Sequence, residues 1–129
     1  MEDWIKIKAH LEEALREFNA YLNRVRSWVK HGRYHPARAY NNLERCAAHL
    51  LAARKLAPRR LKRRISALIE EVRPLLLEAG RLEEELRPYA KEREIVGRLA
   101  PSEERVEELL EKMRELKEEI EAIVKEVRP

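Results

Sequence analysis

The side chains of this 129-residue chain that could do covalent or metal chemistry are four histidines, one cysteine and twenty-four carboxylates. His10, His31, His35 and His49 share no spacing that suggests a metal site. Cys46 stands among small helical residues, Cys46-Ala47-Ala48, and reads as an inert buried thiol; a single cysteine builds neither a disulfide framework nor a thiolate metal site. The glutamates of the last third fall between apolar positions, as a solvated helix face does. The glycines are Gly32, Gly80 and Gly97, too scattered for a phosphate-cradling loop. No enzymatic chemistry, metal or cofactor is implied.

The strongest chemistry in the sequence is electrostatic. In Pro58-Arg59-Arg60-Leu61-Lys62-Arg63-Arg64-Ile65, five of eight residues are cationic, and Pro58 marks a helix start because its missing N–H is not needed at the first helical position. A helix N-terminus already carries about half a positive charge, so cations there are unfavourable by about 0.3–1 kcal/mol each unless an anion answers them. Free backbone N–H groups and stacked cations together make an anion site. The expected ligand is a polyanion, most simply nucleic acid, RNA or DNA undecided. Arg59, Arg60, Lys62, Arg63 and Arg64 are its expected contacts, with Arg54 and Lys55 just before them. Arg33 and Tyr34, in the first turn, are candidates for a phosphate contact and for stacking on a base. Trp28 and Tyr40 read as core.

Charge is polarised along the chain. The net charge is +4, but residues 1–65 carry +10 and residues 66–129 carry −6. Such asymmetry points to nucleic-acid or membrane contact on one side, or to head-to-tail pairing of two copies. A protein-interaction or assembly module is therefore the alternative reading, with a homo-oligomer one form of it.

The elements that must position these residues are all helical. Charged residues make up 40% and aromatics 5%, with no Thr or Gln; this composition favours helix throughout, and its many ion-pairing side chains fit a thermophile. The periodicity predicts one domain, 1–129, with helices over about 3–31, 36–56, 58–96 (kinked near Pro74) and 102–128. Asp3 and Ser102 are the expected N-caps and Gly32 the expected C-cap. Seams spaced by four and three run through Leu11, Leu15, Phe18, Leu22, Val25 and Val29 in the first helix. In the third they run from Leu61 and Ile65 to Leu82 and Leu86, and in the fourth through Val106, Leu109, Met113, Leu116, Ile120, Ile123 and Val127. The alanine-rich second helix should lie centrally, with Ala39, Ala47, Ala48, Ala52 and Ala53 facing inward beside Tyr40, Leu43, Leu50 and Leu51. Glu108–Lys112 and Glu121–Lys125 are expected pairs one turn apart. The fold expected is an all-α antiparallel bundle of four helices, or five if the third breaks at Gly80 or Pro88. The last two helices should form a coiled-coil-like hairpin.

The stretch Gly32-Arg33-Tyr34-His35-Pro36-Ala37-Arg38-Ala39-Tyr40, followed by Leu43-Glu44-Arg45-Cys46-Ala47-Ala48-His49-Leu50-Leu51, resembles the helix-turn-helix of HEPN-type helical bundles, over roughly a third of the chain. The ribonucleases of that group carry an Arg and a His a few residues apart in a later helix. No such pair follows Arg60 here, and Arg26 with His31 has the spacing but lies in the first helix. The resemblance thus implies a noncatalytic relative, and a ribonuclease is a distant third reading.

Met1-Glu2-Asp3-Trp4 is no signal peptide, and no run approaches the ~18 apolar residues of a membrane span. The expected location is the cytoplasm, with no membrane partner.

Overall fold

A computed structural model describes residues 3–32, 36–86, 88 and 100–127. Four helices appear among them: α1 (Trp4–His31), α2 (Pro36–Leu56), α3 (Arg59–Leu86) and α4 (Glu103–Val127). Their ends follow local chemistry. Gly32 adopts φ 61° and donates its N–H to the Trp28 carbonyl at 2.9 Å, the left-handed C-cap that glycine adopts at little steric cost. At α4, Ser102 caps as expected: its Oγ accepts from the Arg105 N–H at 3.4 Å and its carbonyl from Val106 at 3.2 Å. Asp3 does not cap with its carboxylate; only its backbone carbonyl engages, accepting from Ile7 at 2.9 Å.

Cross-helix contacts fix the arrangement. His10 meets His49 and Arg24 meets Asn42 between α1 and α2, Arg54 meets Ser66 between α2 and α3, and Arg64 meets Glu119 while Glu71 meets Lys112 between α3 and α4. With Tyr40 against Gly80 as a second contact between α2 and α3, residue numbers in each pair rise on one helix as they fall on the other, so neighbours are antiparallel. Arg26, near the end of α1, reaches Glu103 and Glu107 at the start of α4, which closes the ring.

α4 packs its backbone chiefly against α1 and only sparingly against α3. The expected close hairpin of the last two helices is thus corrected: α4 runs antiparallel to α3 but is joined to it mainly by long side chains. A heptad seam does not choose its partner; here α1 takes most of the α4 contact, and the pairs Arg64–Glu119 and Glu71–Lys112 span the gap between α3 and α4. The separation leaves an open cleft of about 440 Å³ floored by Leu68 and Leu116.

The core is built along α1 from Ile7, Leu11, Ala14, Phe18, Leu22 and Val25. Each large apolar side chain buried this way contributes about 1.5–3 kcal/mol. The predicted α3 seam from Leu61 to Leu86 is buried at every position, and Trp28, Leu82 and Leu86 form a second small cluster towards the far end. Val29 instead lies 51% exposed while Trp28 takes its place inside. In α4, Val124 is buried and Ile123 only partly so. In α2 the inward positions are Ala39, Leu43, Cys46, Leu50 and Ala53, while Ala48 and Leu51 face water.

α3 continues through Pro74, whose ring is exposed, and through Gly80, so there is no break at Gly80. The stretch after Pro88 in which a fifth helix was expected lies outside the described residues. Gly80 allows close approach of α2: a Cβ built there would sit 3.4 Å from the ring of Tyr40. Tyr40 itself hydrogen-bonds Glu44, which together with the negative charge there raises its phenol pKa. Among the described residues no helix is long and apolar enough to cross a membrane.

Candidate nucleic-acid interface

The turn from α2 to α3 is tight because its few residues are tied to the core and to each other. Ala57 is buried and donates its N–H to the Arg54 carbonyl at 3.3 Å. The Pro58 carbonyl accepts from both Leu61 and Lys62 at 3.0 Å, which places Pro58 just before the helix rather than at its first residue. Leu61 and Ile65 are 1% and 0% exposed and fix the rotation of α3. With those two facing inward, Arg59, Arg60, Lys62, Arg63 and Arg64 all emerge into solvent, as the sequence pattern requires.

Their partners divide the five. Arg64 is held by Glu119 of α4. Arg59, Arg60, Lys62 and Arg63 have no carboxylate partner among the described residues. Arg73 and Arg81 by contrast pair within α3, and Lys112 binds Glu71 at 2.8 Å; Lys6, Arg38 and Arg105 also lack a carboxylate partner among the described residues but are not part of such a run. Lys55 is exposed in the last turn of α2, and Arg54 beside it reaches only the Ser66 hydroxyl at 3.5 Å. Two helix ends therefore present one cationic surface. The Leu61 and Lys62 N–H groups are already taken by Pro58, which leaves those of Arg59 and Arg60 for an outside acceptor.

The other cations flagged by composition serve differently. Arg26 is clamped by Glu103 at 3.0 Å and Glu107 at 2.7 Å, and its pKa is raised by these two hydrogen bonds. Arg24 donates to Asn42 at 2.8 Å. These two tie helices together at the end of the bundle opposite the cluster. Arg33 and Tyr34 lie outside the described residues. Trp28 is fully buried and Tyr40 half-buried against Gly80, consistent with their reading as core.

One constellation was not read from the sequence. Along the α1–α2 seam, Asn42, 9% exposed, accepts from Arg24 and donates to Glu17 at 2.8 Å, and Arg45 approaches the same carboxylate at 4.0 Å. Two turns further on, His10 and His49 meet. The signal lay in His10, Glu17 and Arg24, polar residues at heptad spacing beside the α1 seam. Cys46 is buried close by, and desolvation, aided by the Glu17 charge, pushes its thiol pKa up to about 12, the inert state expected of it. No cluster of three or more metal-ligating side chains occurs among the described residues.

A scan against protein-family models, a search of curated proteins and a search of solved structures each return no match.

Proposed function

We propose that this protein binds nucleic acid through the phosphate backbone, using Arg59, Arg60, Lys62 and Arg63 at the start of α3 with Arg54 and Lys55 at the end of α2. The observation that carries this reading is the set of four clustered cations without carboxylate partners, in a chain that pairs so many of its other arginines. Concentrating cations at a helix N-terminus is unfavourable for folding alone and favourable only against an anion. Contacts of this type position a polymer without reading its bases, so weak sequence preference is expected.

The test is fluorescence anisotropy with labelled duplex DNA and single-stranded RNA, comparing the natural chain with a variant carrying Arg59→Glu, Arg60→Glu, Lys62→Glu and Arg63→Glu. Binding lost in the variant, with helicity retained, supports the reading. Equal binding by both proteins, or none by either, refutes it.

The acidic surface of α4, ten glutamates against five Lys and Arg, favours a second reading, in which this face meets the basic corner of another protein or another copy. A salt-sensitive dimer in sedimentation equilibrium, with no nucleic-acid shift, would select it.

A further inference from the structure

His10 of α1 and His49 of α2 bring their Nδ1 atoms within 3.1 Å, with ring centroids 5.4 Å apart and planes tilted by 37°. The centroid distance exceeds the nitrogen distance by about the full length of two ring radii. Both nitrogens therefore lie between the rings and face each other nearly head-on. In the metal-free pair one Nδ1–H donates and the other Nδ1 accepts.

Head-on donors restrict what else can sit between them. A zinc ion asks for four ligands in a tetrahedron, so its imidazoles must converge from one side and other donors must join them. Here the donor axes are close to collinear, and no third histidine, cysteine or carboxylate completes a cluster among the described residues. Two collinear imidazole nitrogens complete only a linear, two-coordinate site. Late transition metals suit imidazole, and a closed-shell monovalent ion is the one that is content with two ligands on a line.

We propose that His10 and His49 form a linear two-coordinate site for Cu(I), bridging α1 and α2. With metal–imidazole bonds of about 2 Å, as for zinc, the nitrogens must part by roughly 1 Å, within the reach of side-chain rotation at two half-buried positions. Charge and protons balance simply. The bridging proton moves from Nδ1 to Nε2 of the same ring, both Nδ1 lone pairs bind the metal, and no electron is transferred. Glu13 and Glu17 lie one and two turns from His10 along α1, but Glu13 pairs with Arg16 and Glu17 is approached by Arg45, and Lys6 lies one turn the other way, so the site rests on the donor geometry and not on the surrounding charge. This site is independent of the basic surface.

The experiment is an anaerobic titration of the natural chain with Cu(I) against a chromogenic Cu(I) chelator, with His10→Gln, His49→Gln and Cys46→Ala variants in parallel. One equivalent bound, weakened at least tenfold in each histidine variant and unchanged in Cys46→Ala, is the expected result. X-ray absorption of the natural loaded protein should then show two nitrogen ligands, a readout that does not depend on whether a variant folds. No binding, binding indifferent to the histidines, loss on Cys46→Ala, or a higher-coordinate site would each overturn the proposal.

Discussion

Arg63 and Arg64 are neighbours in the chain and opposites in the fold, one without a carboxylate and the other held by Glu119. If backbone phosphates are the ligand, Arg63→Ala removes one contact and lowers the magnitude of the salt slope of binding by about 0.9 on duplex DNA. Arg64→Ala should leave the slope unchanged, because that side chain is already engaged. Affinities of both variants at several salt concentrations check this; equal effects would show that the α4 contact does not set Arg64 apart. Cys46 gives a second prediction at this scale. Its thiol keeps its proton in the folded protein up to about 12, against an ordinary value of 9.0, so above pH 9 the unfolded chain loses the proton first. Its contribution to stability is intact below that point and falls by about 1.4 kcal/mol per pH unit as pH rises towards 12. Urea unfolding between pH 8 and 11 should show a steeper decline for the natural chain than for Cys46→Ala. The native thiol should also resist alkylation at neutral pH.

At the scale of elements, what was legible depended on how sharply side chains mark a helical phase. The α3 seam was readable throughout because large apolar residues recur without interruption from Leu61 to Leu86. In α2 the phase was blurred, since alanine fits a buried or an exposed position equally well; Ala53 went inside and Ala48 outside. In α1 and α4 the reading slipped towards the C-terminal end, at Val29 and Ile123. In α4 a strict heptad drifts ~20° per repeat against a straight helix, which brings Val124 inward in place of Ile123; in α1 the shift runs the other way, because the flank of Ala14, Tyr21 and Trp28 is the one that is buried. The expected pairs one turn apart were partly redistributed: Lys112 binds Glu71 across the cleft, and Glu121 pairs with Lys117 one turn before it rather than with Lys125 one turn after. Gly80 was read as a possible break and is a helical residue against Tyr40. Because an added methyl meets that ring only at van der Waals contact, Gly80→Ala should raise stability by about 0.5–1 kcal/mol through helix propensity. A fall in the unfolding midpoint would mean that the α2–α3 approach is tighter than 3.4 Å allows. At the α1–α2 seam, Asn42→Ala leaves Arg24 and Glu17 without their shared amide, a loss of about 1–3 kcal/mol, measurable by the same unfolding experiment.

Over the whole molecule, folding turns the charge polarity of the chain into a polarity of surfaces. α4 carries an acidic excess, and the junction of α2 and α3 gathers four cations without carboxylate partners at one corner of one end. The corner was visible in the sequence as a run of arginines. That it would consist of four free cations and one held by α4 was not, because Glu119 is distant in sequence and comes near only through the antiparallel return of α4. The most direct test of the account is the salt dependence of nucleic-acid affinity for the natural chain between 50 and 200 mM. The four α3 cations alone predict a log–log slope of about −3.6 on duplex DNA or about −2.8 on a single strand, and contacts from Arg54 and Lys55 as well would take these to about −5.4 and −4.2, a loss of affinity across that range of roughly 150- to 1,800-fold on duplex or 50- to 340-fold on a single strand. A slope near zero, or the absence of binding at the lower salt concentration, would contradict it.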